Sequence, residues 1–146
     1  MLLSKSCEYG LRASFYLATL KKEGYVSIGE ISDKLNISFA YLTKIFQKLT
    51  QANLMTSLRG PKGGVALARP ASQITLMDIV KAIDGDDLFT QCILGLPGCG
   101  NRKPCPLHEA WGEERARLAT IFKEKTLQSI AQDLEDFDLW LVIFPD

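Results

Sequence analysis

Three cysteines fall within fourteen residues, at Cys92, Cys99 and Cys105, and the chain's only histidine, His108, follows them. The spacing is Cys92-x6-Cys99-x5-Cys105-x2-His108. Thiolates bind zinc and iron–sulfur clusters, and an imidazole can add a nitrogen donor. Gly95, Pro97, Gly98, Gly100, Pro104 and Pro106 punctuate the run, so the loop can wrap around a centre while its ligands converge. The pattern predicts a metal centre on Cys92, Cys99, Cys105 and His108. It does not separate zinc from an iron–sulfur cluster, and unmetallated thiols are the plainer alternative. Cys7 has no cysteine near it and reads as a buried thiol of the first helix. A Cys–His nucleophile needs its base held by a third group. With one histidine, already placed beside the cysteines, hydrolytic chemistry is not expected and the chain does not read as an enzyme.

Such a loop needs a folded frame. The 146 residues are 47% hydrophobic, enough for one domain with an appended oligomerisation element. Met1 to Lys5 form no apolar leader run, and no stretch of about 18 apolar residues exists that could span a membrane, so a cytoplasmic protein is expected. Lys5 to Lys22 reads as a helix stopped by Gly24. Ser27 and Glu30 match a capping box for a second helix with Ile28, Ile31 and Leu35 inward. Asn36-Ile37 make a short turn, and Ser38 caps a third helix whose Leu42, Ile45, Phe46 and Leu49 recur at helical spacing. Two short helices joined so tightly are a helix-turn-helix pattern. Leu54–Leu58 and Val65–Leu67 read as strands around the Arg59–Gly64 turn, a β-hairpin wing. Thr75 to Asp78 opens a further helix with Leu76, Ile79, Val80 and Ile83 buried, ended by Gly85. From Leu107 the helical pattern resumes, with Leu107, Trp111, Leu118, Ile121 and Phe122 on one face, expected to pack on a partner helix, with packing on its own chain alone as the plainer alternative. A short helix is expected over Thr126–Leu134.

The expected fold is therefore mainly α: a winged helix-turn-helix with a small β-hairpin wing plus a long C-terminal dimerisation helix. The divisions are 1–85 for the winged unit, 86–108 for the cysteine-rich loop, 107–135 for the dimerisation helix and the short helix after it, and 136–146 for an apolar tail.

Net charge is zero, but its distribution is uneven. Residues 1–70 carry ten Lys/Arg and four Asp/Glu, and residues 71–146 carry seven against thirteen. No acid occurs between Asp33 and Asp78, an interval that holds Lys34, Lys44, Lys48, Arg59, Lys62 and Arg69. A basic segment cleared of carboxylates attracts a polyanion without local repulsion. A reading helix enters the major groove with its N-terminal residues against base edges. The candidates are Ser38, Phe39, Ala40, Tyr41, Thr43 and Lys44, with Lys48 a turn further on for a phosphate. In the wing, Arg59 and Lys62 can reach phosphates or the minor groove, while Gly60, Pro61 and Gly63 let the backbone approach closely. The alternative for Tyr41 is packing within the helical unit. The expected partner is double-stranded DNA at a pseudo-palindromic operator, read by a homodimer.

These features together resemble the Rrf2 family of bacterial winged-helix transcription regulators, which includes iron–sulfur cluster-binding members. The resemblance covers about residues 1–135 and rests on Tyr9-Gly-Leu-Arg-Ala13, Ile37-Ser-Phe-Ala-Tyr-Leu42, Arg59-Gly-Pro-Lys-Gly-Gly64 and the three cysteines. It implies a homodimer whose operator binding is controlled by an iron–sulfur cluster sensing iron–sulfur status, redox or nitric oxide. Cys105-x2-His108 looks like the arrangement in which three Cys and one His hold a [2Fe-2S] cluster, the first expectation here. Cys92-x6-Cys99 is one residue longer than the usual spacing, and Glu8 stands where nitric-oxide sensors carry a carboxylate ligand to the partner's cluster, which would favour [4Fe-4S]. Ala40 and Thr43 depart from the polar and acidic residues of the family's iron–sulfur biogenesis regulators, so operator preference does not carry over. A zinc-stabilised or cluster-free repressor without redox sensing is the competing expectation.

Overall fold

The computed structural model of the chain describes residues 2–21, 23–96 and 105–136. Helix α1 (Lys5–Leu20) begins where the Ser4 hydroxyl accepts the Cys7 N–H at 3.0 Å. Lys21 ends it in the left-handed conformation (φ 47°), three residues before the Gly24 at which the sequence places the stop. Ser27 accepts the Glu30 N–H at 3.1 Å and opens α2 (Ile28–Leu35). Glu30 itself is drawn to the Tyr16 hydroxyl, so one half of the expected capping box is made. Asn36 (φ 54°) turns the chain sharply, Ser32 Oγ donates to the Ile37 carbonyl at 2.6 Å, and Ser38 caps α3 (Phe39–Gln51). Ile31, Leu35, Leu42, Ile45, Phe46 and Leu49 are all buried between these helices, which follows their 3.6-residue spacing.

The wing is an antiparallel pair, β1 (Met55–Leu58) and β2 (Gly64–Leu67), in register from Met55↔Leu67 to Leu58↔Gly64. Val26 and Val65 exchange both backbone hydrogen bonds at 2.9 Å, which ties the hairpin to the segment entering α2. Gly64 makes this possible: its φ is +150°, and a Cβ there would run into the Val26 carbonyl. Single-residue pairing of this kind has no period, and Val26 carries no mark of it in the sequence.

After a 3₁₀ turn (Ala71–Gln73), Thr75 and Asp78 form a complete capping box, at 2.9 and 3.1 Å, for α4 (Leu76–Asp84). Leu76, Met77, Ile79, Val80 and Ile83 are buried. Gly10 lets α1 lie close on α4, since a Cβ would strike the Ile83 side chain. Gly85 follows, and then a single turn, α5 (Asp87–Thr90), where no periodicity is visible in the sequence. Helix α6 (His108–Glu124) leads to α7 (Leu127–Asp136). Helix α7 folds back on α1 and the 3₁₀ turn: Leu127 is fully buried, Ala131 nearly so, and the Leu127 N–H reaches the Ile74 carbonyl at 2.9 Å. Burial of that leucine alone is worth about 1.5–3 kcal/mol, enough to hold a short helix in place. The apolar tail lies outside the described residues, except for Asp136 at its start.

Candidate DNA interface and cysteine site

Along α3, Ser38, Phe39, Ala40, Lys44 and Lys48 are exposed and Thr43 is half-buried, its hydroxyl given to the Phe39 carbonyl at 2.9 Å. Phe39 is 57% exposed at the head of the helix, an unusual place for a large aromatic ring without a partner. Tyr41 is placed differently. Its hydroxyl lies 3.0 Å from Ser6 Oγ, and its ring meets Tyr9 edge-on at 5.4 Å. Lys5 and Arg12 stand over the Tyr9 ring at 5.5 and 5.6 Å. Tyr41 therefore fastens the start of α3 to α1, as the packing alternative anticipates, and its hydroxyl is already engaged.

In the wing, Arg59, Gly60, Pro61 and Lys62 are exposed and Gly63 is half-buried. The Gly63 N–H closes the tip onto the Gly60 carbonyl at 2.9 Å, with Gly60 at φ +111°. Among the described residues, Lys44, Lys48, Arg59 and Lys62 take part in no ion pair. The acid-free interval thus exposes its cations on both α3 and the wing, and among the described residues no ion pair neutralises these four.

The second site is built from the segment after α5 and the start of α6. Cys92 follows α5 and is buried; the Gly95 N–H donates to its carbonyl at 2.9 Å. Cys105, thirteen residues on, is half-buried, and its Sγ stands 3.7 Å from Cys92 Sγ. A disulfide would require about 2.05 Å. Two sulfurs bound to one tetrahedral metal at about 2.3 Å lie about 3.8 Å apart. The pair therefore fits two ligands of a tetrahedral centre, zinc or iron alike. His108 begins α6 and its backbone N–H donates to the Cys105 carbonyl at 3.0 Å, so both belong to one turn. Cys99 lies outside the described residues. Glu8 is half-buried on α1, 3.3 Å from Lys5 Nζ, in a groove with Leu2, Leu3, Leu88 and Phe122. Among the described residues no group of three His, Cys, Asp or Glu side chains is placed to hold a metal ion. Around the pair, Ile93, Leu94, Leu96 and Leu107 are each about half exposed, an apolar collar.

Two residues at this site were not foreseen in their role. Trp111 was expected on a partner-facing stripe, but its indole N–H donates to the Gln91 carbonyl at 3.0 Å. Arg115, one turn later, donates to the Thr90 and Gln91 carbonyls at 3.0 and 2.9 Å. Phe122 meets Phe89 edge-on at 5.5 Å. Part of the stripe is thus covered by α5 of the same chain, while Leu107 (44% exposed) and Ile121 (53%) stay uncovered. The i, i+4 spacing of Trp111 and Arg115 places both on one helix face and was the available signal.

Cys7 is fully buried, away from this pair. Burial, aided by the negative charge of Asp84, pushes its thiol up to about 12. Since the thiolate is the nucleophile, only about one part in ten thousand is reactive near pH 8. In folded protein treated with iodoacetamide near that pH, peptide mapping is expected to find Cys7 unmodified while Cys105 is labelled. Prompt labelling of Cys7 would contradict its placement in the core.

Residues 3–133 match the family described as Rrf2, iron-dependent transcriptional regulator. The HTH-type transcriptional regulator IscR of Xenorhabdus nematophila is 30% identical over 139 residues, covering 95% of this chain and 84% of its own. Among solved structures, CymR, the global cysteine regulator of B. subtilis, superposes with a TM-score of 0.76 at 27% identity, over 90% of this chain and 96% of that one. IscR of T. potens gives 0.75 at 26% identity, over 94% and 91%.

Proposed function

This chain belongs to the Rrf2 family of transcriptional regulators, a family of DNA-binding proteins rather than enzymes, and we propose that it reads a pseudo-palindromic operator as a homodimer under the control of an iron–sulfur cluster on Cys92, Cys99 and Cys105. The observation that carries the cofactor is the 3.7 Å separation of buried Cys92 and half-buried Cys105, beside the start of α6. The resemblance to cluster-binding relatives favours iron and sulfide over zinc, and His108 as the fourth ligand of a [2Fe-2S] cluster. Glu8 of the partner subunit, with a [4Fe-4S] cluster, is the second reading. A cluster supplies a centre whose integrity and oxidation state respond to iron supply, oxygen or nitric oxide.

The chain's own residues divide the remaining work. Ser38, Phe39, Ala40 and Thr43 face base edges, with Tyr41 holding the helix end in place. Lys44, Lys48, Arg59 and Lys62 take phosphates, and Gly60, Pro61 and Gly63 bring the wing backbone close. No residue of helix α6 is fully buried in its own chain, and its uncovered Leu107 and Ile121 meet the second subunit. Two reading helices held about 34–36 Å apart then match successive major grooves. No helix among the described residues is long and apolar enough to cross a membrane.

Operator binding is expected to weaken steeply with salt, because each neutralised phosphate releases counterions. Lys62→Ala should lower affinity on every sequence and reduce the log–log salt slope by about one. A slope and affinity equal to wild type would remove Lys62 from the interface. Iron and acid-labile sulfide analysis decides between cluster and zinc.

A further inference from the structure

We infer that Trp111 and Arg115 are positioning residues for the cysteine site: they clamp the end of α5 onto α6 and so hold Cys92 over Cys105. Helix α5 is one turn long and cannot satisfy its own last carbonyls. Three hydrogen bonds from α6 fall on two of them, Trp111 Nε1 to Gln91, and Arg115 to Thr90 and Gln91, all within 2.9–3.0 Å. The guanidinium also meets the negative end of that turn, where a cation is favoured and its hydrogen bonds are charge-assisted. Gln91 is the residue before Cys92, and Cys92 is anchored on its other side by the Gly95 N–H. Cys105, in turn, is fixed to α6 through the His108 N–H. Both cysteines are thereby referred to one rigid element, Cys105 through its first turn and Cys92 through the clamp one and two turns later. Among the described residues, Phe89 against Phe122 also joins α5 to α6, but Phe89 lies three residues before Cys92, against one for Gln91.

The assignment of a cluster to these thiols rests on the function proposed above, but the clamp does not, so its test has two arms. Trp111→Phe keeps the ring and removes the N–H; Arg115→Lys keeps the charge and removes the fork. In the first arm, full-length protein is freed of metal and kept reduced, and alkylation of each cysteine is followed by peptide mapping. Cys92 should react about 10-fold faster in either variant, the opening expected from losing one net hydrogen bond, while Cys7 stays unreactive. In the second arm, protein is reconstituted anaerobically with ferrous iron and sulfide. The variants should show an altered visible circular dichroism spectrum and lose iron to a chelator several-fold faster than wild type. Arg117→Lys, at an exposed side chain paired with Glu114, should change neither. Cys92 reactivity equal to wild type overturns the clamp. So does a parallel rise at Cys7, which would mean general loosening of the fold. If wild type itself acquires no chromophore, the cluster reading fails, while selective exposure of Cys92 still supports the clamp.

Discussion

Alanine at Cys92 or Cys105 is expected to abolish the visible absorbance of anaerobically reconstituted protein and its stoichiometric iron, while Cys7→Ala leaves both intact. The two sulfurs already stand at the separation of ligands on one tetrahedral ion. Removing either leaves that ion with an open position in a loop that glycine and proline cannot close. Metal affinity at such sites is also folding free energy, so a missing thiolate weakens binding and loop order together. Cys99→Ala should behave alike if it completes the set. The fourth ligand is separated by a pair of variants. His108→Ala should shift the spectrum and Glu8→Ala leave it nearly unchanged; the reverse would favour the partner's carboxylate. Coupling to DNA is the decisive readout. A regulatory cluster should change operator affinity by about 5- to 150-fold between loaded and cluster-free protein. Equal affinity on every operator tried would end the sensing proposal even with the cluster present, and a colourless protein with one zinc would replace it.

Legibility differed between the two sites for physical reasons. Leu42, Ile45, Phe46 and Leu49 repeat at 3.6 residues because one face of α3 must be buried, and the same constraint pushes Lys44 and Lys48 outward. The wing was legible because only a Gly-rich tip turns so tightly. Periodicity marks an apolar face but not what covers it. The stripe from Trp111 to Phe122 therefore read as facing a partner, although α5 of the same chain takes Trp111, Arg115 and Phe122. Helix α7 illustrates the same gap: its pattern was visible over Thr126–Leu134, whereas its docking on α1 depends on contacts more than a hundred residues apart. For the cysteines, spacing identified the chemistry. Which thiols meet depends on the path of an aperiodic loop, and the Cys92–Cys105 pairing required coordinates.

That redistribution of the α6 face changes where dimerisation should be tested. Glutamate at Trp111 would tear the contact to Gln91 and disturb the cysteine site, confusing two effects. Ile121 is the better position, because it is 53% exposed and outside the core. A charge there should alter the stability of a single subunit by no more than about 0.5 kcal/mol. Buried against a second copy of α6, the same carboxylate would be desolvated without a partner, a penalty of several kcal/mol and counted twice in a two-fold interface. Wild-type protein is therefore expected to sediment as a dimer at micromolar concentration and Ile121→Glu as a monomer with an unchanged melting curve. Each monomer can engage only one half-site. Operator affinity should then fall by about 10³-fold or more, towards non-specific binding, because the second reading helix no longer follows at a fixed spacing. A monomeric wild type, or an Ile121→Glu protein that stays dimeric with full affinity, would move the two-fold axis away from this face of α6.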